Sequence, residues 1–508
     1  MLSSSVLFWF ALLLLIVAAR IVYWLEPFGI SVDEHVYLAV AEAWSHYGSL
    51  YLDAVDRKPP LFLAIYRVIG ELFGFFNVHA IHLSFILFVF LLCMLGEKIS
   101  QQLSVPPPKG VTAILIALYS SSFSREFTSA NTEIPMVLAL FLSFLFLLKA
   151  INSPKQFHRY IFVSAVVAAL ATLIKQNAFL PYALAILSFP LIPSLRAKSL
   201  RAFFVVGLGV GLVYSATVLV FWSSGTLGEF LQWTLWDNLG YMTHHTVIEQ
   251  SRPWISPFLI CIALWPALSI GIGYQLITQK MSPGFAILLA GSLGAILFIV
   301  VSGRLYSHYF VPAAFFLSLT SAFGVFTLSK ARWGKAFGVL VVLPFFIFFM
   351  ITTFRDAIFP VFNPGGKIHS FDLRVQEKIR EASRYIKETT SQDDRIVVWG
   401  MAAQIYTQSQ RGSATRFILA DYVSGRLPGH STGERLPNPD HLRIYLEDMK
   451  RNQPVIFVDT HPAAINDYEH FPLNDYPELF SFVEEHFDFE GFFGKIGIWR
   501  KKGFDKKG

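Results

Sequence analysis

Eleven apolar spans separated by loops occupy the first 354 residues, and no other feature limits the fold of this chain as strongly. They run over 6–24, 81–95, 111–123, 134–148, 160–174, 178–192, 202–222, 254–276, 285–301, 310–328 and 336–354. A bilayer core offers no water to unpaired backbone groups, so runs of this kind cross it as helices. Several fall short of the ~20 residues a crossing needs, which puts their true ends inside the flanking loops. Only 15% of the 508 residues are charged and 54% are hydrophobic, where a soluble domain carries about a quarter charged residues. The expected fold is an α-helical polytopic membrane protein with about 11 transmembrane helices. Residues 6–24 lack a basic lead and a small-residue cleavage site, so they read as the first anchor rather than a signal peptide. Arg20, near the outer end of that anchor, is expected to reach toward headgroups.

The loops sort by charge. Lys98, Lys109, Lys149, Lys155, Arg159, Arg196, Lys198, Arg201, Lys280, Lys330, Arg332 and Lys335 fall on one side if every span crosses once, together with a single acid, Glu97. The positive-inside rule makes that side cytoplasmic. The amino terminus is then cytoplasmic and the carboxyl terminus extracytoplasmic, in a plasma (inner) membrane. Asp33, Glu34, Asp53, Asp56, Glu126, Glu133, Asp237 and Glu249 all lie on the outer side. So do Arg57, Lys58, Arg67, Arg125, Lys175, Arg252 and Arg304, basic residues that the rule does not explain. The net charge of +6 belongs to the membrane part, which holds about 20 basic and about 13 acidic residues. Cytoplasmic anchoring accounts for it, and no nucleic-acid motif is present. Cys93 and Cys261 both lie in apolar spans, so no disulfide framework is expected.

After Phe354 the pattern changes. Asn363-Pro364-Gly365-Gly366 is a turn-rich linker. Beyond it, 372–387 and 441–451 have helical spacing, 395–399 and 454–458 read as buried strands, and 492–499 as a closing strand. The chain is thus divided into a membrane unit, 1–354, with a long first outer loop, 25–80, and an extracytoplasmic α/β domain, 355–508.

That first outer loop is too long for a simple connection. Ser31 and Glu34 have the spacing of a capping box, with Asp33 just inside the helix it would open. Val36, Val40, Trp44 and Tyr47 recur at helical spacing and Gly48 ends the run, which predicts an amphipathic helix lying along the membrane surface. In Asp56-Arg57-Lys58-Pro59-Pro60 the prolines stop regular structure and can start a second helix, with Lys58 at its entry. Asp33 reads as a cap residue, a catalytic carboxylate, or both. Lys58 reads as a headgroup anchor or as the holder of one particular phosphate.

An Asp33-Glu34 pair after the first span, then Tyr37, Gly48-x-Leu50-Tyr51 and Lys58-Pro59-Pro60, resembles the protein O-mannosyltransferase superfamily. That superfamily includes the aminoarabinose transferases of lipid A and related polyprenyl-phosphate-sugar glycosyltransferases of GT-C type. Residues 130–135, which contain Glu133, resemble its second outer acidic motif, and residues 303–310, which contain Arg304 and His308, its later basic and aromatic segment. Val398-Trp399-Gly400 followed by Gln404-Ile405-Tyr406 is similar to the soluble part of bacterial members.

The resemblance implies inverting transfer of a sugar from a polyprenyl-phosphate donor to the hydroxyl of a lipid, glycan or protein acceptor. It implies Asp33 as the catalytic base, with Glu133 orienting the acceptor or sharing the proton. Glu34, Tyr37, Lys58, Arg304 and His308 are implied on the substrate, with Lys58 on the phosphate and Glu34 also serving as cap partner. Lys175 reads as an interfacial anchor or, more weakly, as a further phosphate candidate. The leaving phosphate needs positive charge rather than an acid. The resemblance makes no cofactor certain. Some aminoarabinose transferases suggest a metal held by a Glu before the lysine together with a His, but Arg57 occupies that position here, so a divalent metal is unsupported. Adjacent His244 and His245 cannot both face one metal from a helix, and the loop 232–254 is expected to cap the substrate cleft. The alternatives are a ligase or polymerase using polyprenyl-diphosphate glycans, and a transporter. A transporter would show mid-membrane charges and repeat symmetry, and neither is visible in the sequence.

Overall fold

The computed structural model describes residues 4–27, 31–104, 106–121, 125–239, 281–301, 307–329, 347, 351, 373–426, 435 and 437–505. Four of its helices are long and apolar enough to cross a membrane: Val78–Ser100, Glu133–Asn152, Ser199–Ser223 and Pro283–Val301. Ser4–Ala18 and Val111–Ser121 are shorter apolar helices, and Phe157–Thr172 and Val311–Ser329 complete the set used here. The predicted span 254–276 and all but two residues of 336–354 lie outside the described residues. Helix ends do extend into the predicted loops: the span expected at 81–95 begins at Val78, where the Asn77 side chain accepts from the Ala80 amide, and runs to Ser100. The span expected at 178–192 is instead broken. Its helix ends at Leu187 and a 3-10 turn takes over at Phe189–Leu191, because Pro190 and Pro193 have no amide to continue the ladder.

The helices meet through small residues and hydroxyls, since lipid tails provide no hydrophobic drive for association. Ser143 and Ser164 bond across Glu133–Asn152 and Phe157–Thr172, each Oγ donating to the other's carbonyl at 2.8 and 2.9 Å. A side chain at Gly209 would lie 2.8 Å from the Ala165 Cβ, and one at Gly294 would lie 2.5 Å from the Leu180 carbonyl oxygen. These positions require glycine because another backbone occupies the space a Cβ would need.

Arg20 is fully buried rather than at the headgroups. Its guanidinium donates to the carbonyls of Ser120 (3.2 Å) and Ile16 (3.5 Å), which lie near the carboxyl ends of two helices. Carbonyls in the last turn of a helix generally lack intrahelical partners, and a cation suits them better than lipid does.

Residues 373–505 build a five-stranded sheet flanked by helices Leu373–Thr389, Pro439–Asn452 and Pro477–His486. Strands β1 (Arg395–Trp399), β2 (Gly412–Ser413), β3 (Ile456–Asp459), β4 (Phe487–Phe493) and β5 (Ile496–Lys501) lie in the order β2-β1-β3-β5-β4. β1 is parallel to both β2 and β3, and β5 runs antiparallel to β3 and β4. The buried runs Ile396–Trp399 and Ile456–Asp459 form its centre. The single closing strand expected at 492–499 is in fact a hairpin, because Gly494 (φ 58°) and Lys495 (φ 65°) reverse the chain inside it.

This layer packs onto the helix Val32–Tyr47. His35 Nδ1 lies 2.5 Å from Thr407 Oγ1, Arg395 donates to Glu42 at 2.6 Å, and Tyr47 donates to the Ser413 carbonyl at 2.9 Å. The other side of the same helix presents Tyr37 to Phe62, edge-on at 4.7 Å. The helix has the predicted extent, and Gly48 (φ 101°) ends it with its amide on the Trp44 carbonyl. The helix is buried on both its apolar and its polar faces, because 373–505 supplies partners for the polar one.

Candidate active site

Four backbone segments bring their charged residues to one end of the helices. Asp33 stands in the first turn of Val32–Tyr47, where the helix dipole favours a carboxylate. It is half-buried, and its carboxylate has neither hydrogen-bond nor ion-pair partner among the described residues. The expected capping box does not form: Ser31 makes no side-chain cap bond. Glu34 is fully buried instead, 2.9 Å from His82 Nε2. The Tyr23 ring stacks on that histidine at 4.1 Å. A carboxylate on the side facing the helices finds a ring nitrogen nearer than its own helix terminus.

Lys58 is held by its backbone. Its amide donates to Asp56 Oδ1 at 2.7 Å, and its carbonyl accepts from the Tyr51 hydroxyl at 2.7 Å. Pro60 occupies the first turn of the helix Pro60–Phe73, as the sequence predicted. The Lys58 ammonium lies 5.7 Å from the Tyr37 ring centre and has no carboxylate partner among the described residues. Asp56 is buried, and burial raises its pKa, while the Lys58 charge and amide act in the opposite direction. The Tyr37 hydroxyl donates to Asn131 Oδ1 at 3.2 Å. Burial pushes that phenol well above its usual range, reinforced by the charges of Asp33, Asp56 and Glu133 around it.

Glu133 and Lys175 are arranged differently. Both are buried and they form an ion pair. The second carboxylate oxygen of Glu133 accepts from Thr132 Oγ1 at 3.0 Å, so both of its oxygens are occupied. The Lys175 ammonium lies 4.3 Å from the centre of the Tyr309 ring and 5.4 Å from that of Phe298, a setting in which aromatic faces share the load of desolvating a cation. His308, in the 3-10 turn Ser307–Phe310, acts electrostatically on Glu133. Of the basic segment 303–310, Arg304 lies outside the described residues.

The structure therefore brings together Asp33, Tyr37, Lys58, Glu133 and His308, and adds Asp56, Asn131, Lys175 and Tyr309. Lys175 had a signal in the sequence as an outer-side lysine without an anchoring role. Asp56 stood out as an outer acid beside Lys58, while Asn131 and Tyr309 lay inside the resembling segments 130–135 and 303–310 without a mark of their own, since a tyrosine or asparagine in an apolar setting carries none. The surroundings of position 57 do not fit a metal: the Arg57 guanidinium stands there, paired with Asp237. His244 and His245 lie outside the described residues.

Comparison with known proteins bears on this arrangement. Residues 57–222 match the family model of dolichyl-phosphate-mannose-protein mannosyltransferases, a stretch holding Lys58, Glu133 and Lys175. Among solved structures, ArnT from Cupriavidus metallidurans bound to undecaprenyl phosphate aligns at 13% identity and TM-score 0.57, over 96% of this chain and 97% of that one. This chain shares the GT-C fold. A second GT-C structure, the Archaeoglobus fulgidus oligosaccharyltransferase with a tethered acceptor peptide, aligns at 11% identity and TM-score 0.53, over 97% of this chain and 74% of that one. The archaeal oligosaccharyltransferase AglB with an inhibitory peptide and a dolichol-phosphate aligns at 12% and TM-score 0.53. No curated protein sequence matches. At these identities the likeness to solved structures establishes the GT-C architecture of a membrane protein, and the chemistry must be argued from the residues.

Proposed function

We propose that this chain is a membrane glycosyltransferase that moves a sugar from a polyprenyl-phosphate donor to an acceptor hydroxyl, with inversion, at the extracytoplasmic face of the plasma membrane. The matched mannosyltransferase family and two lipid-phosphate complexes of similar fold support the donor class. The observation that carries the reading is that the Asp33 carboxylate and the Lys58 ammonium share one end of the helices and neither has an ion-pair partner among the described residues. A base must have a free oxygen, and a phosphate holder must have a free cation.

In the proposed reaction the acceptor hydroxyl attacks the anomeric carbon from the face opposite the phosphate. Asp33 takes the hydroxyl proton as the new carbon–oxygen bond forms. The bond between the anomeric carbon and the phosphate oxygen breaks, and its electron pair leaves with polyprenyl phosphate. Lys58 stabilises the charge that develops on that phosphate, with Arg304 and His308 as further contributors. Glu133 is assigned a different part from the one the sequence suggested. With both oxygens engaged, it holds Lys175 in place rather than sharing the acceptor's proton. Tyr37 serves as the floor between base and cation. The amino terminus is assigned to the cytoplasm, and the unit 355–508 to the outer face.

The test uses purified protein in lipid with a polyprenyl-phosphate sugar. Asp33→Asn is expected to abolish transfer while leaving folding and insertion intact. Full activity of that variant would reject the base assignment. Labelling that places Asp33 and Lys58 in different compartments would reject the site.

A further inference from the structure

Arg57 and Lys58 are neighbours with opposite circumstances. Lys58 has no ion-pair partner within 4 Å among the described residues, whereas Arg57 is held on three sides. Its Nε donates to Asp237, its guanidinium carbon lies 5.0 Å from the centre of the Tyr422 ring, and its carbonyl accepts from Asn238 Nδ2 at 3.0 Å. Asp237 and Asn238 directly follow a π-helical turn, Gln232–Trp236. Such turns are rare and occur frequently at functional sites.

The π turn is itself anchored at both ends of the site. Trp233 is 7% exposed. It lies edge-on to Tyr422 at 5.3 Å and packs against His441 at 5.4 Å and Phe417 at 6.2 Å. All three partners belong to residues 373–505. His441 Nδ1 lies 2.8 Å from the Tyr422 carbonyl oxygen, which fixes the pocket around the indole. On the opposite side, the Thr234 carbonyl accepts from Gln176 Nε2 at 3.0 Å, one residue from Lys175. One turn of backbone thus reaches the neighbour of each cation. The loop before Lys58 is tied to the same layer, for the Val55 amide donates to the Arg416 carbonyl at 3.0 Å.

We propose that Arg57 is a positioning residue: by bridging Asp237 and Tyr422 it fixes Lys58 for the donor phosphate, so that the docked layer 373–505 sets affinity for the lipid-linked donor. This rests on the donor class assigned above. Arginine suits the part because a planar guanidinium can pair along its edge while stacking on a ring, which an ammonium cannot do. The side chains of Arg57 and Asp237 are 26% and 23% exposed. Pairs as accessible as this contribute little to global stability. The bridge is therefore expected to act on binding and to leave melting unchanged, the reverse of what a structural tie would do.

The experiment measures binding of undecaprenyl phosphate to the purified full-length protein in nanodiscs, beside its melting temperature. Arg57→Ala and Tyr422→Leu are each expected to weaken binding about tenfold with melting unchanged. Tyr422→Phe keeps the ring face and is expected to restore binding to within about twofold. In a Lys58→Ala background, Arg57→Ala is expected to add nothing, because its effect passes through Lys58. Wild-type-level binding by both Arg57→Ala and Tyr422→Leu overturns the proposal, as does additivity with Lys58→Ala. Binding and melting that fall together show a structural tie and overturn it too. Failure of the wild type to bind undecaprenyl phosphate removes the donor assignment itself, a result distinct from loss of the bridge alone.

Discussion

Asp33 with Lys58, and Glu133 with Lys175, are two carboxylate–lysine sets of the same chemical composition in two different states. The first set is half-buried and unpaired among the described residues, and the second is buried and locked together. A locked pair cannot accept a proton or bind a phosphate without first being broken. An unpaired set can do both, but contributes little to holding the fold. The contrast supports the proposed division, chemistry at the first set and architecture at the second, although the sequence marks all four residues alike as charges on the outer side.

Several measurements can break or sharpen this division. The largest effect is expected at Asp33, where Asn should lower turnover by about 10²–10⁴-fold, the usual worth of a general base, with an unchanged melting temperature. A comparable loss of turnover with folding intact at Glu133→Gln would reverse the assignment. Next is Lys175→Met, which leaves the Glu133 carboxylate buried and unpaired. It should cost about 3–5 kcal/mol of stability, read as a lower melting temperature. A combined Glu133→Leu and Lys175→Met variant should recover most of that loss.

The same reasoning extends to Asp459, a buried carboxylate at the end of β3 whose pKa burial raises to about 6, opposed by the His461 amide. Because the folded value lies above the ordinary carboxylate value, its contribution to stability is complete below about pH 4. It is lost as the pH rises through about 6. Asp459→Asn should be more stable than the wild type at pH 7.5 relative to pH 4.5 by roughly 2 kcal/mol, as checked by denaturation at the two pH values. A smaller effect is expected at Lys58→Ala: donor binding weaker by about 1.5–3 kcal/mol, the range for a charge-assisted hydrogen bond, with no change in melting. The smallest is Tyr37→Phe, at about 1 kcal/mol in stability from the lost bond to Asn131.

The apolar periodicity was enough to locate the membrane helices that the structure describes, because lipid imposes one solution on such runs. It failed over 178–192, where prolines divide what hydropathy alone joins. The helix at 32–47 and its end at Gly48 were legible from spacing. Its setting was not, because the partners of His35 and Glu42 lie more than 350 residues away in sequence. Asp33 and Lys58 could be picked out from their neighbours: a helix start for one and two prolines for the other. The locking of Glu133 to Lys175 could not, since neither residue carries any local mark of the other. Glu34 shows the limit most plainly. Its capping-box spacing was real, yet burial beside His82 prevailed over a terminus that tolerates an unfilled cap.

The helix that bears Asp33 is clasped on one side by residues made early in synthesis and on the other by residues around 395–413. A ribosome must therefore export most of the polypeptide before that helix gains its second wall. Until then a nascent chain holds the charges of the candidate site without the enclosure that orders them, so the packing of residues 373–505 onto that helix completes the surroundings of the site.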